Sequence, residues 1–287
     1  GSHVNLRIGQ QTTHFVLQPG ERVRTPRVVL VHWQGTDRLR GHNQLRRMIL
    51  DHYTPRTVTT AGKNAGPALP PVTQNTWFTF AEGNKTNEQN QLEVMDVMAK
   101  IGVEGYWLDA GWFEGGWPAG AGSWVPKADA FPRGLRPLGD AAHGKNMKFV
   151  LWFEPERVTP TSRIAKEHPE WVLHAGGGDG LFNLGDPAAR AWLTELLSKC
   201  ISEWGMDVYR NDFNIDPLRF WRAADKPDRK GLTEIRYVEG LYAMWDELLK
   251  RHPGLSIDNC ASGGRRIDIE MLSRSYPLWR SDTQCCG

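Results

Sequence analysis

The chain is poor in cysteine, in excess charge and in long apolar runs, and each shortage closes off a class of protein. Four Cys occur in 287 residues, at positions 200, 260, 285 and 286. They show neither the spacing of a metal site nor the density of a disulfide framework. Adjacent Cys285 and Cys286 could join only as a strained vicinal disulfide, so free thiols in a reducing, cytoplasmic compartment are expected. The nine His form no His-x-His or His-Glu-x-x-His pattern, which leaves a metal-dependent hydrolase without support. Net charge is +2 and the basic residues are dispersed, so neither nucleic acid nor an anionic membrane is favoured as a partner. No apolar stretch is long enough for a membrane span, and no signal peptide is visible. Internal repeats and low-complexity tracts are missing too. Gly1-Ser2-His3 has the look of a tag remnant, so a native leader could have been removed.

What is present is an ordinary globular composition, 40% apolar and 24% charged, with thirteen Trp. Most of those rings are core filling. Some can be platforms for the C–H face of a sugar, and Trp112, Trp117, Trp124 and Trp279 lie beside the polar strand ends described below.

Residues 4–34 read as strands, with runs Thr12–Leu17 and Arg27–Trp33, and 41–53 as a helix stopped by Pro55. A Gly/Ala/Pro-rich linker covers 61–71. After it, strand candidates at 75–80, 104–109, 148–154, 206–212, 255–259 and 277–282 alternate with helix candidates at 87–101, 134–145, 187–204 and 236–251. Asp186 is a good N-cap for the third of these, with Pro187 at its first position. Such alternation predicts an α/β fold of TIM type, a (β/α)8 barrel. With about six strands it is C-terminally incomplete, its last units missing. The expected domains are 1–57, the end of an N-terminal β-sandwich with its linking helix, and 58–287, the barrel.

A barrel of this kind carries its chemistry at the C-terminal strand ends. Asp212 ends one candidate strand and Asp282 another. Two carboxyl groups across a pocket are what acetal hydrolysis at a sugar requires. Arg210 lies two positions before Asp212, hence on the same face, where its charge would keep Asp212 ionised. Asp282 would have to be raised by burial or by Asp212 to serve as the acid. Asp109 ends a third strand beside aromatics, and Asn214 follows Asp212. Glu154 and Glu156 flank Pro155; one is expected to face the pocket and the other to pair with a loop Arg. In the loop 259–268, Cys260, Gly263 and Arg266 are candidates, Gly263 because two adjacent glycines let backbone approach a ligand. A phosphate cradle there lacks the P-loop Lys-Ser/Thr.

These segments together resemble glycoside hydrolase family 36, the melibiase-like α-galactosidases. The likeness rests on Leu108–Phe113, Trp152–Glu156, His168–Trp171, Arg210–Asp212, Cys260–Asp268 with Met271-Leu272, and Trp279–Asp282, in order over about 72–284. It implies a retaining mechanism on α-linked sugars, with Asp212 as nucleophile, Asp282 as general acid/base, carboxyls roughly 5–5.5 Å apart, and no cofactor. It also implies sugar binding by Asp109, Trp124, Arg210 and Cys260, and assembly into a homo-oligomer. The family usually has two aspartates where this chain has Asp109-Ala110, and Lys-Trp-Asp where it has Arg210-Asn211-Asp212. Ala110 removes an acceptor for a sugar hydroxyl, which opens the alternative of an α-N-acetylgalactosaminidase or another α-glycosidase. Transglycosylation would use the same residues. A non-catalytic carbohydrate-binding barrel is the alternative of another class.

Overall fold

A computed structural model describes residues 3, 5–58, 64–80 and 83–285 of the chain. Its centre is a five-stranded parallel sheet: β1 (Thr73–Asn75), β2 (Gly105–Leu108), β3 (Lys148–Phe153), β4 (Val208–Asn211) and β5 (Ser256–Asn259), neighbours in space as in sequence. Every residue of β2 and β4 is buried, and only Lys148 of β3 is exposed. Such strands, covered on both faces, read as apolar runs without alternation. Helices α2 (Glu88–Lys100), α3 (Arg136–Gly144), α4 (Pro187–Trp204) and α5 (Leu232–Arg251) follow the strands in turn, with α1 (Arg38–His52) ahead of them.

Local chemistry explains where the helices begin and end. Asn87 and Asn90 close a reciprocal capping box on α2. The Asp186 carboxylate accepts the Ala188 and Ala189 N–H groups at the start of α4, as expected, with Pro187 inside the first turn. Gly205 ends α4 in the left-handed conformation at φ 69°. In α5 a Cβ on Gly240 would stand 1.9 Å from the Leu184 carbonyl, so only glycine admits that approach.

Several expectations are corrected. The segment 277–282 makes no strand; the nearest pairing is one bridge just before it, Asp258 to Tyr276. The strand expected over 75–80 stops at Asn75, and Trp77–Thr79 turn as a 3-10 helix. Arg27–Trp33 forms no strand, because Val28, Val29, Leu30 and Trp33 stand exposed with no described strand alongside. Of Thr12–Leu17 only His14–Phe15 pairs, with Arg229–Lys230. Within the expected linker, Asn64–Pro67 pairs antiparallel with Arg56–Val58, while 61–63 lie outside the described residues, as do Gly1, Ser2 and Cys286. A small antiparallel sheet of Arg157–Val158, Gly180–Phe182 and Val172–Leu173 was not foreseen. Cys200 and Cys260 are free thiols and buried, and Cys285 is exposed. Among the described residues no helix is long and apolar enough to cross a membrane.

Candidate active site

Parallel register carries side chains into layers at the C-terminal strand ends. Arg210 of β4 lies opposite Trp152 of β3 on one side and Asp258 of β5 on the other. One step beyond the last paired residues, Asp212 and Cys260 follow β4 and β5. Residues two apart share a face, so Arg210 and Asp212 point inward together while Tyr209 and Asn211 point back toward the helices. Asn211 accordingly accepts from Tyr209 Oη and Trp245 Nε1 and donates to Glu156, all buried.

The inward groups meet around a cavity of about 170 Å³. Its wall holds Asp109, Arg210, Asp212, Asn214, Cys260 and Asp282, with Trp77, Phe78, Trp117, Trp152 and Trp279 as aromatic lining. A larger cavity of about 580 Å³ lies between the Arg24–Val29 segment and α5. Its acidic Glu270 is already paired with Arg24 at 2.6 Å, and no strand end converges on it. The smaller cavity is the one with the chemistry.

Of the carboxylates in this cavity wall, Asp212 accepts the most side-chain and backbone donors. Its Oδ2 accepts Trp152 Nε1 at 2.9 Å and Asn214 Nδ2 at 3.1 Å, and its Oδ1 accepts the Phe213 N–H at 2.8 Å. Burial alone would push its pKa up. The Arg210 charge and the donors Asn214, Trp152 and the Cys260 thiol outweigh burial and hold it below the ordinary value. Arg210 is itself fixed by Asp258, Nη1 to Oδ2 at 2.5 Å, and its guanidinium lies 4.3 Å from the Trp107 ring centroid. Burial works against its charge, but the neighbouring acidic groups, Asp258 foremost, outweigh burial and raise its pKa. Asp258 also accepts the Leu278 N–H at 2.8 Å, which ties the segment leading to Asp282 to the same carboxylate.

Asp109 accepts from Asn75 Nδ2 at 2.7 Å and from the Ala110 N–H at 2.8 Å. Burial pushes it up to about 6, helped by the Asp212 charge and opposed by Arg210. Asp282 is exposed, on a 3-10 turn Asp282–Cys285, with Oδ1 accepting Trp279 Nε1 at 3.0 Å. Burial pushes the Cys260 thiol up, so it remains a donor to Asp212.

Of the expected site residues, Asp212, Asp282, Asp109, Arg210, Asn214 and Cys260 come together, and so do Trp117 and Trp279. Five do not. Trp112 is fully buried, donates its N–H to the Trp152 carbonyl at 2.9 Å, and packs against Phe113, Phe153 and Trp204. Trp124 is 5% exposed, packed against the rings of Trp112, Phe113, Trp152 and Phe153. Glu154 stands behind the wall, accepting the Asn214 N–H at 2.5 Å and Trp117 Nε1 at 3.0 Å. Burial first and then the Asp212 charge push it up to about 7. Glu156 is the glutamate that pairs with the loop arginine, Arg266 Nη1 to Oε1 at 2.6 Å, and this holds Arg266 off the cavity. Gly263, at φ +76°, approaches chain and not ligand: a Cβ there would meet the Asp282 nitrogen at 2.9 Å.

Sequence reasoning missed Asn75, Trp77, Phe78, Trp152 and Cys285 in the wall. Asn75 had a signal, since it ends β1 as Asp109 follows β2. Among the described residues, no three His, Cys, Asp or Glu side chains are grouped to hold a metal ion.

Residues 23–286 match the Melibiase family. The α-galactosidase Mel36A of Lactobacillus acidophilus is 28% identical over 293 residues, which cover 98% of this chain and 38% of the relative. A solved α-galactosidase from Lactobacillus brevis superposes with a TM-score of 0.71 at 28% identity, over 84% of this chain and 33% of that one. A variant of the GH36 α-galactosidase AgaA of Geobacillus stearothermophilus, in complex with stachyose, gives 0.68 at 27% identity, over 74% and 31%. The chain thus spans less than two fifths of the length of the curated relative, 38%.

Proposed function

The chain belongs to the Melibiase family, and from that premise we propose that it carries the catalytic site of a retaining α-galactosidase acting on terminal α-linked galactose. The observation that carries the reading is a single cavity lined by both Asp212 and Asp282, in which the Arg210 charge and several donors outweigh burial at Asp212 and hold its pKa down. A nucleophile must be ionised at rest, and Asp212 has the surroundings that keep it so. It attacks the anomeric carbon while Asp282 protonates the leaving oxygen. Asp282 then takes the proton of the water that frees the sugar. In a retaining enzyme those carboxyls work roughly 5–5.5 Å apart. Asp109 and Arg210 face the same cavity and are assigned to the sugar hydroxyls, one accepting and one donating.

Ala110 in the wall supports a second substrate within the same chemistry. It offers room and no acceptor, which suits an N-acetylgalactosaminide or another substituted α-glycoside. The same reading takes residues 1–57 as the end of a preceding β-domain, supported by the exposed apolar run Val28–Leu30. A cytoplasmic setting and assembly into a homo-oligomer belong to it as well.

A panel of nitrophenyl α- and β-glycosides, run with the parent and Asp212→Asn, tests the proposal. Release from an α-galactoside, lost in Asp212→Asn, supports it. Release from another α-glycoside alone moves the substrate and keeps the mechanism. Silence across the panel, or undiminished activity in Asp212→Asn, overturns it.

A further inference from the structure

We propose that Phe78 and Trp279 form the subsite for the leaving group, and that it accepts a second sugar ring of an oligosaccharide. The proposal rests on Asp282 being the acid, because the leaving oxygen then lies beside Asp282.

The cavity is polarised from end to end. Its inner groups are polar and buried: Asp109, Arg210 and Cys260 are 8%, 4% and 2% exposed. Its mouth is aromatic, and Phe78 is 58% exposed there. A sugar whose hydroxyls are met at the inner end must send its leaving group out past that ring. Core packing does not account for Phe78, which belongs to neither buried apolar cluster.

Both rings are held in place. The Trp279 indole donates to Asp282 Oδ1 at 3.0 Å and meets the Trp107 ring edge-on at 6.5 Å. Trp107 is in turn covered by the Arg210 guanidinium. Phe78 rides the turn Trp77–Thr79, whose first N–H is bound by Asn75 Oδ1 at 2.6 Å. Trp279 therefore orients the acid and presents an apolar face with one side chain.

The spacing of the pair limits the occupant. Their centroids are 6.4 Å apart with a 30° tilt. A ring inserted between two parallel faces needs about 7–8 Å, two van der Waals contacts. The ligand ring therefore lies across the pair as on one surface. A pyranose suits that surface, apolar on its C–H face and wet at its hydroxyl rim, as aromatic platforms with a wet edge require.

The test compares kcat/KM for α-galactosyl-(1→6)-glucose and for α-galactosyl fluoride, whose leaving group has no ring and needs no acid. Phe78→Ala is expected to lower the disaccharide value at least tenfold more than the fluoride value, and Phe78→Tyr to restore the ratio. Equal losses on both substrates, or an unchanged ratio, would overturn the subsite. If the parent turns over neither substrate, the catalytic reading fails. The subsite is then decided by titrating the disaccharide and free galactose into Asp212→Asn with and without Phe78→Ala. A disaccharide advantage that Phe78→Ala abolishes supports it; equal affinities overturn it.

Discussion

Replacing Asp258 by Asn isolates the ion pair on which the electrostatics of the cavity depend. Asp258 is wholly buried and Arg210 4% exposed, with 2.5 Å between Nη1 and Oδ2. Removing one partner of such a pair costs about 3–5 kcal/mol, because the other charge stays buried without compensation. Asn keeps an acceptor for the Leu278 N–H, so that bond is not part of the loss. Arg210 also keeps the Asp212 and Asp109 charges nearby, which places the expected cost at the low end, about 3 kcal/mol. For a domain of some 150–250 residues that corresponds to ~6–12 °C in Tm. The kinetic signature has a definite sign. Asp258 and Asp212 repel each other. With Asp258 neutral, Asp212 is held still lower, and the acid limb of kcat/KM moves to lower pH. Thermal unfolding and a pH profile of the same variant check both effects. A loss under ~1 kcal/mol together with an unmoved acid limb would refute the reasoning.

Glu154 is raised to about 7 from an ordinary 4.5, so the native state binds the extra proton between those values. The stability it contributes is complete below about 4.5 and is lost as pH rises through 7, on the order of 3 kcal/mol in total. Glu154→Gln is expected to flatten that stretch of a denaturation series taken against pH. Trp112→Ala should cost about 3–5 kcal/mol in chemical denaturation while the KM of the folded fraction holds, because Trp112 is core and not cavity wall. Ala110→Asp supplies a charged acceptor worth about 1.5–3 kcal/mol. The ratio of kcat/KM for an α-galactoside over an N-acetylgalactosaminide should rise ~10–100-fold. An unchanged ratio would show that Ala110 does not choose the sugar.

The parts of the fold legible in the sequence are those with local causes. Asp186-Pro187 opens α4 and Gly205 closes it through capping chemistry that needs no tertiary partner. The buried parallel strands ending in Asp109, Asp212 and Cys260 show as apolar runs stopped by polar or small residues. Leu278-Trp279 has the same local look. A strand also needs a neighbour to pair with, and pairing there stops at Tyr276. Trp112 and Trp124 follow the strand end at Asp109 in sequence, yet their rings turn back into the core. Nearness along the chain says nothing of that direction. Glu154 and Glu156 differ by two residues, and the partner that singles out Glu156, Arg266, lies 110 positions on in another loop. The Arg210–Asp258 pair needs the β4–β5 register, which no single segment contains.

The central claim is that Asp212 is the nucleophile of a retaining α-glycosidase. A fluorinated α-galactosyl fluoride that forms a slow-turnover covalent intermediate, followed by peptide mass spectrometry, tests it most directly. The account predicts one glycosyl label, on the peptide carrying Asp212, none in Asp212→Asn, and recovery of activity as the label hydrolyses. A label on Asp109 or Asp282, or turnover of the reagent with inversion and no label, would contradict it.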